Sequence, residues 1–247
     1  MKIELHHGDC LEVMKDIPDN SVDLVLTDPP YGTTACKWDV VIPFESMWEQ
    51  IKRIRKERCA VVLFGSEPFS SYLRMSNIKE FKYDWIWDKK KPVGAHVSKI
   101  RPLQQTEIIS KFFVSNYFPI KTIRGKQLIG GKEYGRTSIV GGKINKDKNK
   151  NRIIKDYNPR NLIQFSNADN TNRKHPTQKP VKLLEYLIKT YTLESQTVLD
   201  FTMGSGSTGV ACKNLDRNFI GIEKDDQYFQ IAKDSIENHV VQERLFR

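Results

Sequence analysis

Two stretches of this sequence carry residue types that could do chemistry together. The first is Thr27-Asp28-Pro29-Pro30-Tyr31-Gly32, which follows the apolar run Val22-Asp23-Leu24-Val25-Leu26. A short Val/Leu run bounded by prolines and glycine reads as a buried strand of a parallel sheet, and ligands gather at the carboxyl ends of such strands. The prolines donate no backbone hydrogen bond and hold φ at about −65°, so the chain leaves the sheet as a stiff segment whose carbonyls only accept. One carboxylate, a free carbonyl and an aromatic ring thus lie close together. A flat ring bearing an amino group would find two acceptors and a stacking surface there, which describes the amino edge of adenine or cytosine. The same residues also fit a plain Pro-Pro turn, with Asp28 as turn former and Tyr31 as packing.

The second stretch runs from the strand Thr197-Val198-Leu199-Asp200-Phe201 into Met203-Gly204-Ser205-Gly206-Ser207-Thr208-Gly209. Its glycines satisfy G-x-G-x-x-G, and Glu223 closes the next strand, Phe219-Ile220-Gly221-Ile222, at the distance where a ribose acceptor belongs. No lysine follows the glycines, so this is not a phosphate-binding P-loop. A dinucleotide would want a second mononucleotide half after the first, yet about one strand and one helix remain beyond Gly209. S-adenosylmethionine, an adenosine with a short zwitterionic tail and no pyrophosphate, suits a sheet whose missing strands lie earlier in the chain.

Strands and helices must alternate to bring these exits together, and the pattern provides them. Ile3 to His7 reads as a strand ending at Gly8-Asp9-Cys10, with Leu11, Met14 and Ile17 at helical spacing until Pro18. Asp9 fits a helix N-cap or an acceptor for a ligand amino group at a strand end. Pro43 to Lys56 predicts a helix with Met47, Ile51 and Ile54 inward. Cys59 to Phe64 predicts a strand, and a helix follows through Met75. Lys82 to Asp88 predicts another strand, whose exit Lys89-Lys90-Lys91-Pro92 is a polar loop that either faces phosphate or substrate or is merely solvated. Gln105 to Phe113 is a further strand, with an antiparallel pairing to its neighbour left open. Thr177 can cap a helix from Pro180 to Tyr191, and helices are expected from Ser207 to Leu215 and from Asp226 to Val241.

At 247 residues, with 28% charged and 38% hydrophobic residues, the chain suits one large globular domain with an elaborated loop region. Its net charge of +10 is local: residues 121–160 hold 8 Lys and 4 Arg against Glu133, Asp147 and Asp156. A patch of this kind neutralises phosphates and releases counterions, which points to nucleic acid; with Gly130-Gly131 and Gly141-Gly142 breaking it up, the same stretch also fits a solvated loop. Cys10, Cys36, Cys59 and Cys212 form no C-x-x-C pair, so neither a metal site nor a disulfide framework is expected. No apolar run approaches the ~18 residues of a membrane span, and Met1-Lys2-Ile3-Glu4 lacks the apolar core of a signal peptide. A cytoplasmic protein is expected.

Asp28-Pro29-Pro30-Tyr31, His175-Pro176-Thr177-Gln178-Lys179-Pro180 and Leu199-Asp200-Phe201 through Gly209, in that order, resemble the amino-methylating DNA methyltransferases of the beta group. The likeness runs from Gly8-Asp9 to Glu223. It departs at Thr202-Met203, where the family more often has a small or apolar pair. The resemblance implies an α/β, Rossmann-like S-adenosylmethionine-dependent methyltransferase fold: circularly permuted, with a mixed seven-stranded sheet, helices on both faces and an inserted target recognition region. It divides the chain into a catalytic part of the sheet (1–118), a basic insert (119–172) and a cofactor-binding part (173–247).

It further implies a target adenine flipped from double-stranded DNA onto Tyr31, with Asp28 and the Pro29 carbonyl each accepting one N6 hydrogen and Pro30 stiffening the exit. Asp9 would hold the cofactor's adenine amino group, Cys10 its ring nitrogen, and Glu223 the ribose hydroxyls. Asp28, Asp200, Phe201, Gly204 and Gly206 would line the cofactor, with Thr177 and Lys179 near its carboxylate or ribose. Arg124, Lys126, Arg136 and Arg152 are phosphate-contact candidates. Asp28, where cytosine-N4 members more often carry Ser, points to adenine N6. N4-cytosine or RNA methylation, an idle cofactor-binding regulator and a nicotinamide oxidoreductase are the rival readings, and a homodimer is left open.

Overall fold

Strand β3 (Arg55–Gly65) shows in one segment how the sequence builds two core layers. Successive strand side chains point to opposite faces. Accordingly, Cys59, Val61 and Leu63 belong to one buried cluster and Ala60, Val62 and Phe64 to the other. The computed structural model describes residues 1–33, 39–95, 98–128, 153–167 and 178–241. Within them, β3 pairs in parallel with β2 (Val22–Thr27), all six residues of which are buried. That is the burial expected of a strand covered on both faces.

The main sheet has the order β1-β10-β9-β2-β3-β5-β4-β8. Its remaining members are β1 (Ile3–His7), β4 (Phe81–Val93), β5 (Gln104–Phe112), β8 (Leu162–Gln164), β9 (Thr197–Asp200) and β10 (Asn218–Glu223). Strand β5 runs antiparallel to both its neighbours, and every other pairing is parallel. The last two strands in the chain therefore sit between its first two, as a permuted sheet requires. Eight strands stand where seven were expected. The extra one is the short β8, whose buried Ile163 lies opposite Trp87 of β4.

Helices cover both faces. Helices α4 (Val181–Tyr191), α5 (Ser207–Asn214) and α6 (Asp226–Glu237) place Leu183, Leu187, Ala211, Cys212 and Ile236 in the cluster containing Leu24 and Leu26. On the other face are α1 (Cys10–Val13), continued by a single 3-10 turn, α2 (Phe44–Ile54) and α3 (Phe69–Ser76). They contribute Met14, Met47, Ile51, Ile54 and Leu73 to the cluster containing Val25 and Leu199. Each buried Leu or Ile of these layers is worth roughly 1.5–3 kcal/mol relative to exposure.

The described residues form two compact units, 1–118 with 161–247, and 119–160. The expected insert, 119–172, is thus shorter at its far end, because Leu162–Gln164 pairs with Ile86–Asp88 and belongs to the main sheet. The smaller unit contains β6 (Thr122–Leu128) antiparallel to β7 (Ile153–Tyr157). Element ends also moved. Strand β3 starts at Arg55 because Arg55 already pairs with Val22, and α6 stops at Glu237, four residues short of Val241. Among the described residues no helix is long and apolar enough to cross a membrane, and no cluster suited to a metal ion is present.

Candidate active site

The carboxyl ends of β1, β2, β9 and β10 open onto one cavity of about 690 Å³. Its wall includes Asp28, Pro29, Pro30 and Tyr31 from the exit of β2, and Asp200, Phe201, Gly204 and Ser205 from the exit of β9. Two hydrogen bonds lock these exits together: the Phe201 amide donates to Thr27 Oγ1 at 3.1 Å, and Thr202 Oγ1 donates to the Asp28 carbonyl at 3.0 Å. Thr202, which departs from the family pattern, thus joins the two stretches, while Met203 is buried in the core.

On the β9 side the wall is a turn held by backbone. Gly204 and Gly206 have φ of 53° and 81°, left-handed values that favour glycine. A Cβ on Gly206 would lie 3.0 Å from the Ala232 carbonyl oxygen of α6. Glu223, at the end of β10, accepts the Gly204 amide on Oε2 and the Lys224 and Asp225 amides on Oε1, each at 2.9 Å. Burial pushes its carboxyl above the ordinary value, and these amides pull it back. Asp200 is fully buried against Thr208 Oγ1, 2.6 Å away, and the Thr202 amide at 3.2 Å. Burial pushes its carboxyl up to about 7 despite these donors. Asp9 caps α1 through the Leu11 amide at 3.0 Å and accepts from Lys224 Nζ at 3.0 Å. Burial opposes its charge, but Lys224 and the amide outweigh that and hold it below the usual carboxylate range. Asp9 and Cys10 both line the cavity, so the cap and the wall are one residue's two roles.

On the β2 side the wall is a buried ionic cluster. Tyr31 Oη donates to Asp28 Oδ1 and lies 3.2 Å from Glu107 Oε1. Lys179 Nζ bridges Asp28 Oδ2 at 2.5 Å and Glu107 Oε1 at 3.0 Å. Lys89 Nζ pairs with Glu107 Oε2 at 2.8 Å. The Lys179, Glu107 and Lys89 side chains are only 10%, 8% and 12% exposed. Two carboxylates thus face two ammonium groups, which is how buried charge is tolerated. Burial and the neighbouring Glu107 raise the Asp28 carboxyl although Lys179 opposes them. Burial also disfavours the Glu107 carboxylate, yet Lys179 and Lys89 hold that carboxyl below its ordinary value. The Tyr31 ring is stacked on Phe69 at 5.0 Å, and the loop carrying it is pinned by Asp39, which accepts the amides of Tyr31, Gly32 and Thr33 at 2.7–2.9 Å.

A comparison with known families decides what such a site belongs to. The model of the N6/N4 DNA methylase family matches residues 22–234. The chain belongs to the N6/N4 DNA methylase family. The Type II methyltransferase M.HpaI of Haemophilus parainfluenzae is 28% identical to this methylase over 94% of the chain and 73% of the relative. The solved M1.HpyAVI–SAM complex aligns over 96% of this chain and all of its own, at a TM-score of 0.65 and 29% identity. The cytosine-N4-specific PvuII DNA methyltransferase shares the fold, at a TM-score of 0.65 and 19% identity over 94% of this chain and 86% of its own.

Of the residues singled out in the sequence, Asp28 to Tyr31, Asp9, Cys10, Asp200, Phe201, Gly204, Lys179 and Glu223 all line this methylase's cavity. Gly206 shapes the turn from behind. Lys179 reaches this wall with its ammonium held by Asp28 and Glu107. Thr177, Arg136 and Arg152 lie outside the described residues. Arg124 and Lys126 lie on β6 of the smaller unit. The helix after Pro180 starts with Pro180 itself at the N-cap and no side-chain cap. Three residues were missed. Glu107 carried a signal, an acid in the otherwise apolar and neutral half-strand Thr106-Glu107-Ile108-Ile109. Asp39 had none. Lys89 was read in a loop facing either substrate or solvent and given no role, whereas β4 carries it into the cavity wall.

Proposed function

We propose that this methylase transfers a methyl group from S-adenosylmethionine to the N6 amine of an adenine flipped out of duplex DNA. The observation that carries the reading is that the amine-acceptor exit at Asp28 and the glycine turn at Gly204 line a single cavity. The residues present fit the cofactor. Glu223 keeps one acceptor position on Oε2 for a ribose hydroxyl beside a turn whose glycines allow close approach, and Asp9 stands at the adenine end. When bound, S-adenosylmethionine supplies an electrophilic methyl on a sulfonium.

The chain's own part is alignment. Asp28 and the Pro29 carbonyl each accept one hydrogen of the amine. Pinning both hydrogens draws the nitrogen toward tetrahedral geometry and aims its lone pair away from the ring. Holding two reactants in line this way is worth ~7–11 kcal/mol of barrier. Tyr31, backed by Phe69, offers its ring to the flipped base. The basic segment 119–160 is assigned to target recognition, with Arg124, Lys126, Arg136 and Arg152 on phosphates and Thr177 beside the cofactor.

The test is incubation of the purified chain with labelled S-adenosylmethionine and unmodified plasmid DNA, then chromatography of the nucleosides. N6-methyladenosine in its deoxy form is expected. Label on N4 of deoxycytidine replaces the adenine assignment, and absence of transfer to either removes the reading. Asp28 instead of Ser favours adenine.

A further inference from the structure

Asp28 does not meet the target amine alone. The groups facing it are Tyr31 on its own loop, Lys179 from the segment before α4, Glu107 of β5 and, across the β2–β9 junction, Asp200. Behind Glu107 stands Lys89 of β4. Resting on the functional reading above, we propose that Lys179 and Glu107 are positioning residues for methyl transfer: they hold Asp28 as an oriented, charged acceptor rather than binding the cofactor.

The geometry gives each a distinct task. Lys179 is the cation that reaches Asp28, and it shares its ammonium with Glu107. Without it Asp28 would face the Glu107 carboxylate across the Tyr31 hydroxyl without its ammonium partner, and like-charged acids so close share a proton. Asp28 would take that proton, because Glu107 keeps a second cation in Lys89. A protonated Asp28 turns an acceptor into a donor, and the amine loses one of the two groups that pin it. Glu107 does the opposite. Its charge disfavours the Asp28 carboxylate, and it anchors Lys179 and the Tyr31 hydroxyl so that the carboxylate plane is fixed from two sides. Removing Lys179 and removing Glu107 therefore move Asp28 in opposite directions, which a purely structural role for either would not do.

Single-turnover methyl transfer to unmodified plasmid DNA, followed between about pH 5 and pH 9, reads this out. Lys179→Met is expected to move the acid limb of the profile up by about one pH unit or more, while Lys179→Arg leaves the limb in place. Glu107→Gln is expected to move it down. Calorimetry is expected to find S-adenosylmethionine affinity within about threefold of wild type in all three. An unmoved limb in Lys179→Met, a limb moved as far in Lys179→Arg, or a tenfold loss of cofactor affinity overturns the inference; the last would put Lys179 on the cofactor. If Lys179→Met does not fold, the sign of the Glu107→Gln shift decides, and an upward or absent shift overturns it. A wild-type chain that methylates no amino group defeats the functional reading beneath, an outcome distinct from all of these.

Discussion

Where β9 gives way to the glycine turn, the cavity wall is made of backbone: two left-handed glycines and a Glu223 carboxylate occupied by three amides. Where β2 gives way to Asp28, the wall is made of side-chain charge drawn from β4, β5 and the segment before α4. The first is fixed by nearby chain and shapes a binding surface. The second is assembled from far positions, Lys179 and Asp28 being 151 residues apart, and sets protonation and orientation. Damage to the two should therefore separate: the glycine side should lose affinity or stability, and the charged side should lose turnover.

The largest effect is expected at Asp28. Asp28→Ala removes the acceptor but leaves Lys179 paired with Glu107, so the wall keeps its fold. Methyl transfer is expected to fall by about 10³-fold or more, with S-adenosylmethionine affinity nearly unchanged by calorimetry. Near-normal turnover would take Asp28 out of the reaction.

On the other side, Asp200 offers a pH signature. Its folded carboxyl titrates at about 7 against an ordinary 3.8, so the folded chain holds a proton that the unfolded chain releases. Its contribution to stability is therefore complete below the unfolded value and is lost as pH rises toward 7, at about 1.4 kcal/mol per pH unit. Urea unfolding at several pH values across that window should show a shallower fall in Asp200→Asn than in wild type. Equal slopes would mean Asp200 is ionised throughout.

The same division explains what was legible in the sequence. The glycine turn could be read because strand, glycines, helix and acidic strand end follow one another within residues 197–223, and each local preference agrees. The α/β character followed from the alternation of apolar runs and helical spacing, whereas the permuted sheet was what the resemblance implied. The ionic cluster could not be read that way. Nothing local in Gln105-Thr106-Glu107 says that its acid will face Lys179, because that depends on β5 inserting antiparallel between β3 and β4. The mistaken start of β3 has a similar cause: Arg55 to Arg58 are charged and mostly exposed, and the pairing of Arg55 with Val22 of β2, across a register shift, carries the strand back to Arg55.

Gly206→Ala tests the backbone wall directly. A side chain at φ 81° is strained by about 1–2 kcal/mol, and the new methyl would press on the Ala232 backbone of α6. The unfolding midpoint is expected to drop by roughly 2–8 °C and cofactor affinity to fall. Turnover at saturating cofactor should stay within a few-fold of wild type. A loss confined to turnover would erase the distinction between the two walls.

Thr202 is where the two walls touch, and its effect should be the smallest. Its hydroxyl donates to the Asp28 carbonyl, yet its own amide belongs to the β9 turn through Asp200. Thr202→Val keeps the shape and deletes one hydrogen bond worth about 0.5–1.5 kcal/mol. If the bond serves mainly to hold the Asp28 exit against the turn, the loss appears as a drop in single-turnover rate of no more than about tenfold. Cofactor affinity and the position of the acid limb should then be unchanged, because no charge near Asp28 has moved. If calorimetry instead shows weakened cofactor binding with the rate intact, Thr202 serves the turn. The coupling of the two exits would then rest on Thr27, through the Phe201 amide and the Asp200 carboxylate, and on the β2–β9 pairing.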